Sequence, residues 1–143
     1  MRHSLIAAAM ALACVAACAQ SAKPNPLATS RVFHYDQMTP RTTPNGTVSR
    51  NVFSGTLATG ESVGLHESIQ PAGTKPPPFH RIHHSEIIVV QKGTLEFDHD
   101  GKAERAGPGG IIYVAYGTLH RARNIGSGPA SYVVIQIGGD TKK

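Results

Sequence analysis

Short runs of β-forming residues alternate with turn signals along most of this chain, and this alternation limits its fold more than any other feature. The clearest runs are GTVSRNVFSG, ESVGLHESIQP, EIIVV, IIYVAY and ASYVVIQI. Glycine, proline or an Asp-Gly pair separates them, and no segment of about twelve residues keeps a helical period with a cap. About eight to ten short strands at spacings of roughly ten residues are typical of a sandwich or barrel. The sequence therefore predicts an all-β fold.

The length and composition fit one domain. A chain of 143 residues with 40% hydrophobic residues is long enough to bury one core of ordinary size. The β-rich stretch predicts a barrel domain at residues 48–139. Residues 20–47 are rich in Pro, Thr, Ser and Asn, and they predict a linker that leads into an edge strand.

Residues 1–19 have a different character and predict an export signal. The apolar run from Leu5 to Ala17 is shorter than the roughly 20 residues that a membrane span needs, and Ala17 and Ala19 occupy the small positions before a cut. The tetrapeptide VAAC also resembles a bacterial lipobox, which would place a lipid on Cys18. Both interpretations predict an exported protein, either periplasmic or a membrane-anchored lipoprotein, whereas a buried N-terminal helix is the alternative.

Cysteine and charge exclude several classes of protein. Both cysteines, Cys14 and Cys18, lie in the predicted signal, so the mature chain has no internal disulfide. The net charge of +5 is scattered and forms no basic stripe, which argues against a nucleic-acid partner. The mature chain also lacks a nucleophile elbow, a phosphate-binding glycine loop and a Cys–His pair.

The stretch HRIHHSE concentrates metal-ligand residue types. His80 and Glu86 are six residues apart, and a straight strand would separate their Cα atoms by roughly 20 Å. Metal–ligand bonds are only about 2 Å long, so the two side chains can share an ion only if the chain reverses between them. The polar residues His83, His84 and Ser85 fit a tight turn before the apolar strand EIIVV.

A second cluster follows the strand IIYVAY. In an extended chain His120 shares one face with Ala122 and Asn124, while Arg121 and Arg123 share the other. The arginines are therefore expected to face solvent, and the histidine to face a cavity as a third ligand from a distant strand.

These two stretches, HRIHHSEIIVVQKG and GGIIYVAYGTLHRARN, together resemble the two motifs of the cupin superfamily. Glu86 and Gly93 keep a spacing of the first motif, and the spacings of the second are kept by Gly109, Gly117, His120 and Asn124. The resemblance implies a cupin jelly-roll β-barrel (a double-stranded β-helix), often a homodimer, with a divalent metal in its mouth.

The chain departs from the family pattern at two positions. Ala115 stands where proline is usual, and Ile82 stands where the first motif has its second histidine. The resemblance then leaves three alternatives for the site. The metal ligands are His80, His84, Glu86 and His120, or the same set without His84, or there is no metal and the polar groups bind a ligand directly. Three imidazoles and a carboxylate suit Fe, Mn, Ni, Cu or Zn.

Other polar residues are predicted to lie outside the ligand set. His83 and His99 are expected to be solvated turn residues, and His66 is expected at the surface or at the rim of a pocket. Tyr113 and Tyr116 have opposite strand parity, so at most one faces the cavity. Arg121 and Asn124 are expected beside the site or at its rim.

The predicted export signal and the resemblance together imply an exported, metal-binding cupin that binds a small organic molecule and transforms it by dioxygenase- or isomerase-type chemistry. The alternative is a non-catalytic module for a small ligand or a metal, metal-free and lipid-anchored in its simplest form. The superfamily contains both enzymes and binding proteins, so the sequence leaves the choice between them open.

Overall fold

A computed structural model describes residues 24–139 of the chain, and in this part of it the fold is all-β, as the sequence predicts. The strands are β1 (Pro40–Thr42), β2 (Val48–Thr56), β3 (Ser62–Gln70), β4 (His80–Arg81), β5 (Ser85–Lys92), β6 (Leu95–His99), β7 (Lys102–Ala106), β8 (Ile111–Val114), β9 (Leu119–Asn124) and β10 (Ala130–Ile137). One short 3₁₀ turn, Tyr35–Gln37, precedes them. The predicted signal at residues 1–19, with Cys18, lies outside the described residues.

The strands form two antiparallel sheets that enclose one interior. The larger sheet has the order β1-β2-β3-β10-β5-β8, and the smaller has the order β4-β9-β6-β7. Side chains of both sheets meet in a single hydrophobic cluster that includes Ile88, Val134 and Phe97. The arrangement is the jelly-roll barrel that the sequence predicts.

Strand β5 shows how the apolar run EIIVV is used. Its burial alternates with a period of two: Glu86, Ile88 and Val90 point inward and are buried, whereas Ile87 and Val89 point outward and are half-buried. The deepest packing lies nearby, where Leu95, Val114 and Ala130 are 0% exposed. The outer face of the larger sheet is therefore also apolar around β5.

The segment before β1 packs along β2. The rings of Phe33 and Phe53 lie 5.1 Å apart, and the amide of Asn25 donates to the carbonyl of Thr56 at 2.7 Å. The guanidinium of Arg50 lies 4.4 Å from the centre of the Tyr35 ring. No helix within residues 24–139 has the length and apolar character that a membrane crossing requires.

The β6–β7 hairpin turns at the predicted Asp-Gly pair, and one prediction about it is wrong. Asp100 and Gly101 both have positive φ, 46° and 75°, as a two-residue hairpin turn of type I′ requires. His99 is not a solvated turn residue: it belongs to β6, and its side chain is only 20% exposed. Its ring stacks on Phe97 at 4.5 Å, and its Nε2 lies 2.6 Å from Glu104 across the hairpin. The carboxylate of Glu104 on the neighbouring strand and the ring of Phe97 hold the His99 ring, which the local sequence predicted to be solvated.

Glycine at position 93, in the β5–β6 turn, is required on two counts. Its φ is +78°, and a Cβ there would lie 2.7 Å from the Cα of Ala130. Gly60 also has a positive φ, +99°, but a Cβ there would meet nothing within 4 Å.

We expect Gly60→Ala to lower the free energy of unfolding by roughly 1–2 kcal/mol through backbone strain, and Gly93→Ala to lower it clearly more. Urea unfolding of the two variants measures the difference, and equal losses would show that the turn can move away from Ala130.

Candidate functional site

One cavity of about 720 Å³ opens between the two sheets, and it brings together the predicted site residues. Such a volume is typical of small-molecule sites, which span about 300–1,000 Å³. Residues from both sheets, from the turn at residues 43–47 and from the proline-rich arm at residues 75–78 line it. The side chains used below are those of His66, Gln70, Lys75, His80, Ile82, His84, Glu86, Ile88, His120, Ala122, Tyr132, Val134 and Gln136.

The segment between His80 and Glu86 brings both side chains to the same cavity, which a shared ion would require. Strand β4 belongs to the smaller sheet and β5 to the larger one, so the residues between them cross from one sheet to the other. Gly117 fixes this crossing from outside the turn: its N–H donates to the carbonyl of Ile82 at 3.0 Å, and its own carbonyl accepts from the Arg81 guanidinium at 2.6 Å. The histidine of one sheet and the carboxylate of the other therefore face the same cavity.

His80 and His120 form a pair at one wall of the cavity. They lie opposite each other in the β4–β9 ladder, and their ring centres are 4.5 Å apart. His120 is buried, whereas His80 is exposed at the mouth. Nδ1 of His120 lies 3.0 Å from the carbonyl of Thr118, and Nδ1 of His80 lies 3.3 Å from the carbonyl of Pro78.

These contacts decide which ring nitrogens are available. A carbonyl only accepts hydrogen bonds, so Nδ1 must carry the proton in both His80 and His120. In a neutral ring the other nitrogen, Nε2, then keeps its lone pair. Histidines that bind metals are commonly held in this way, with the second nitrogen donating to a carbonyl or a carboxylate. Both rings thus present a metal-ligand atom.

His84 and Glu86 form a buried pair at the opposite wall. Oε1 of Glu86 lies 2.9 Å from Nε2 of His84 and 3.2 Å from the amide nitrogen of Gln136, so this oxygen accepts from both. The two nitrogens are 3.1 Å apart and make contact because they share one acceptor. A neutral His84 that donates from Nε2 must lose this proton before the same atom can bind a metal. Metal binding at His84 is therefore coupled to proton release.

Gln136 reaches the pair because β3 leaves room for it. Gln136 lies between Gly64 and Glu86 in the register of β3, β10 and β5. A Cβ at residue 64 would lie 2.9 Å from Oε1 of Gln136. The absence of a side chain at Gly64 thus allows the glutamine to support the carboxylate of Glu86.

Burial keeps His120 neutral. Desolvation lowers the pKa of His120 below its usual value and outweighs the hydrogen bond to Thr118, which raises it. His80 and His84 lower this pKa further, and Glu86 raises it. All four side chains line the same cavity, and the neutral imidazole is the form that binds a metal.

The donor set fits a transition metal in kind, although it is not assembled around one point. Within residues 24–139, no three His, Cys, Asp or Glu side chains already form a group that could hold an ion. The four predicted ligands instead form two pairs, His80 with His120 and His84 with Glu86. Ile82 lines the cavity, is 7% exposed and belongs to the hydrophobic core, so this position contributes packing and no donor.

The remaining predicted residues lie around this site or away from it. Arg121 lies on the face of β9 opposite His120, as strand alternation predicts, and forms an ion pair with Asp98 at 2.6 Å. It does not line the cavity, so the expectation that it borders the site is wrong. Asn124 bonds to the backbone of Gln70, a residue of the cavity wall. His66 also lines the cavity, whereas His83 is exposed beside Tyr116, with 6.0 Å between their ring centres.

Three residues of the wall were not singled out by the sequence. Gln70, Tyr132 and Gln136 come from β3 and β10, far along the chain from both motifs. Burial raises the pKa of Tyr132, while a hydrogen bond with Ser68 opposes this rise and the charge of Glu86 adds to it. A weak signal was present, because Tyr132, Val134 and Gln136 share one face of a strand that is otherwise apolar.

The comparisons agree with this architecture. The sequence profile of the cupin domain matches residues 65–136. The chain belongs to the cupin-domain family. No curated protein sequence matches this cupin at a significant level.

Several solved structures share the fold at low sequence identity. KdgF from Halomonas sp. is 17% identical, with 78% of this chain and 97% of that chain covered and a TM-score of 0.65. A predicted oxalate decarboxylase from Thermotoga maritima is 16% identical, with coverages of 75% and 98% and a TM-score of 0.63. An RmlC-like cupin from Shewanella frigidimarina is 15% identical, with coverages of 78% and 94% and a TM-score of 0.62.

Two histidines of this cupin should titrate on opposite sides of the usual value near 6.5. The pKa of His120 is lowered by burial, and that of His99 is raised by its bonds to Glu104 and Asp100. Charged His99 stabilises the folded protein. This contribution is complete at a pH below the pKa that His99 has in the unfolded chain, and it is lost as the pH rises through the pKa that His99 has in the folded protein. Neutral His120 also stabilises the folded protein. This contribution is present at a pH above the pKa that His120 has in the unfolded chain, and it is lost as the pH falls through the lowered pKa of the folded protein.

An NMR titration of the ring protons in chelator-treated protein measures both values. Glu104→Gln serves as the control, since it should lower the pKa of His99 and leave that of His120 in place. Titration of His120 at or above 6.5 would contradict the burial argument.

Proposed function

We propose that this cupin is an exported protein that holds one divalent transition metal in the cavity and binds a small organic molecule beside it. One observation carries the proposal. The Nδ1 atoms of His80 and His120 donate to backbone carbonyls, so the Nε2 lone pairs of both rings are available to bind a metal. The same cavity also contains His84 and Glu86. The reaction we propose is of dioxygenase or isomerase type.

The metal would be held by His80, His84, Glu86 and His120. Imidazole and carboxylate donors suit Fe, Mn, Ni, Cu or Zn. When bound, such an ion supplies a Lewis acid or a centre that activates oxygen. The carbonyls of Thr118 and Pro78 orient two of the rings, and Gln136 positions the carboxylate of Glu86.

The residues of the chain also set the protonation states of the site. His120 stays neutral because it is buried, and it is therefore ready to bind at neutral pH. His84 donates a proton to Glu86 and must release it when a metal takes its place. Ile82, Ile88 and Val134 make the wall of the cavity apolar on the side next to these groups.

Several similar structures support a small organic molecule as the ligand. Their names describe a sugar phosphate isomerase from Silicibacter pomeroyi, a polyketide cyclase from Streptomyces resistomycificus and the predicted oxalate decarboxylase from Thermotoga maritima. Each of these activities concerns a small organic molecule. We extend the class of ligand, and not any one of these reactions, to this protein.

A non-catalytic binding module is the second candidate. It is favoured by Ile82, which replaces a usual ligand with a core side chain, and by the pairing of the donors within residues 24–139. In that case the cavity binds its small ligand directly, without a metal.

Elemental analysis separates the two candidates. We expect protein purified after expression of the full sequence to contain close to one equivalent of a transition metal, and the His120→Ala variant to contain at least about tenfold less at equal free metal, because one buried ligand is lost. His34→Ala is the matched control, since His34 is exposed before β1. Absence of metal after loading with Fe, Mn, Ni, Cu and Zn would favour the binding module.

Replacement of Ile82 by histidine tests how complete the ligand set is. If His84 already serves as the fourth ligand, Ile82→His should change the metal dissociation constant by less than about threefold. Competition with a chelator of known affinity measures this constant, and Ile82→Leu controls for the altered packing. A gain of tenfold or more would show that a ligand position is empty and would contradict the four-ligand set.

We also propose that residues 1–19 direct export. The support is the sequence alone, because this segment lies outside the described residues. Intact-mass spectrometry of protein made from the full sequence distinguishes cleavage after Ala19 from a lipid on Cys18. An uncleaved chain would contradict both.

We further propose a homodimer through the outer face of the larger sheet. Ile87 and Val89 lie on this face beside Tyr113 and Ile111, which are 64% and 66% exposed. Exposed apolar surface of this kind is typical of an interface, and a two-fold axis would bury it against its own copy.

Light scattering should give twice the monomer mass for the wild-type protein, and the Ile111→Lys variant should have the mass of a monomer. A monomeric wild-type protein would contradict the proposal.

A further inference from the structure

The cavity has a second polar region, away from the His84–Glu86 pair, at the C-terminal end of β3. Gln70 lies there, and Lys75 and Asn45 line the cavity from the proline-rich arm and the turn at residues 43–47. The amide of Asn45 lies 3.5 Å from the carbonyl of Lys75, so the arm and the turn are adjacent. We call Gln70, Lys75 and Asn45 the distal end of the cavity.

Gln70 is a buried donor whose orientation is fixed. Its side-chain oxygen accepts the backbone N–H of Asn124 at 2.7 Å, and its backbone carbonyl accepts the amide of Asn124 at 3.0 Å. The side-chain nitrogen must therefore point the other way. This nitrogen has no hydrogen-bond partner among residues 24–139, although Gln70 is only 2% exposed and lines the cavity. A buried amide donor of this kind requires an acceptor.

The charge of the wall favours an anionic acceptor. Glu86 is the only acidic residue among the described residues that line the cavity, against four histidines and Lys75. No acidic group within the described part of the chain forms an ion pair with Lys75. One ammonium and one amide donor suffice for a singly charged carboxylate, and no arginine, the side chain that binds phosphate through two parallel hydrogen bonds, lines this cavity in residues 24–139.

The register of the larger sheet gives the shape of the ligand. Gly64 pairs with Gln136 and Gln70 pairs with Ala130, so the distal end lies six residues along β3 from the level of Glu86. This separation is roughly 20 Å in a straight strand, before the side chains at both ends reach toward each other. Tyr132, Val134 and Ile88 cover most of the wall between them, and His66 of β3 lies at the level of Val134. The remaining space is too long for acetate or oxalate, and most of the side chains along it are apolar.

We propose that the ligand of this cavity is an elongated monocarboxylic acid with an apolar body, whose carboxylate binds the amide of Gln70 and the ammonium of Lys75. The opposite end of the acid then lies beside His84 and Glu86. The inference rests on the proposed small-molecule site, but it requires no metal.

Calorimetry with octanoate and octanamide tests the proposal on protein made from the full 143-residue sequence. The two probes differ only in the charge of the head group. We expect octanoate to bind at least about tenfold more tightly than octanamide. Equal affinities, or no binding of octanoate to folded protein, would overturn the proposal.

Two variants locate the head group. Gln70→Glu keeps an oxygen for the N–H of Asn124 but replaces the donor with a second oxygen, and it should weaken octanoate about tenfold or more while leaving octanamide within about threefold. Lys75→Gln, at an exposed position that folding tolerates, should weaken octanoate about threefold or more. Lys102→Gln, in the β6–β7 hairpin, is the matched control and should change neither probe. Unchanged octanoate binding in both site variants would overturn the assignment.

Repetition with EDTA separates this inference from the metal proposal. A preference for octanoate that persists without metal supports the distal carboxylate site, whatever the metal content of the protein. A preference that disappears with EDTA would place the carboxylate on the metal, which overturns the distal site and leaves the metal proposal standing.

Discussion

The contact between Gly117 and the start of the β4–β5 turn is the constraint on which the site depends. Strand β4 has only two residue pairs with β9, so the ladder alone holds His80 weakly. The backbone bond from Gly117 to Ile82 and the Arg81 side chain on the carbonyl of Gly117 extend this connection. Gly117 has a φ of +76°, which other residues rarely adopt. The placement of His80 opposite His120, and of Glu86 in the other sheet, follows from this junction.

The interior of the barrel contains a close-packed hydrophobic region and a region of buried polar side chains. Leu95, Val114 and Ala130 form a close-packed region, which supplies the hydrophobic stabilisation of a small domain. His84, Glu86 and His120 are also buried, and each has a hydrogen-bond partner that reduces the desolvation penalty. A cavity of this size lowers stability relative to a filled core. The buried polar groups in its wall are therefore best explained by binding, and the distal end extends the same argument to Gln70.

Local patterns were sufficient to predict much of the fold. The strand periods and the Asp100–Gly101 turn depend on residues close together in the sequence, and the structure agrees with both. The outward direction of Arg121 was also predictable, because alternation in a strand is strict.

Long-range contacts were not predictable from these patterns. Gln136 supports the carboxylate of Glu86, which is 50 residues away, and Gln70 is oriented by Asn124, which is 54 residues away. Strand alternation shows that Gln70 and Gln136 lie on one face of their strands, but it does not show that this face borders a cavity. His99 was misplaced for a related reason, since its partner Glu104 lies on the next strand of the hairpin. Pairing between strands, and not propensity, decides these positions.

The most direct test of the central claim is anomalous diffraction from crystals of the protein loaded with the transition metal that co-purifies with it. The four-ligand site predicts one anomalous peak in the cavity, about 2.0–2.3 Å from nitrogen atoms of His80, His84 and His120 and an oxygen of Glu86. A peak bound by other side chains, such as His99 with Glu104, or no peak in the cavity at full metal loading, would contradict it.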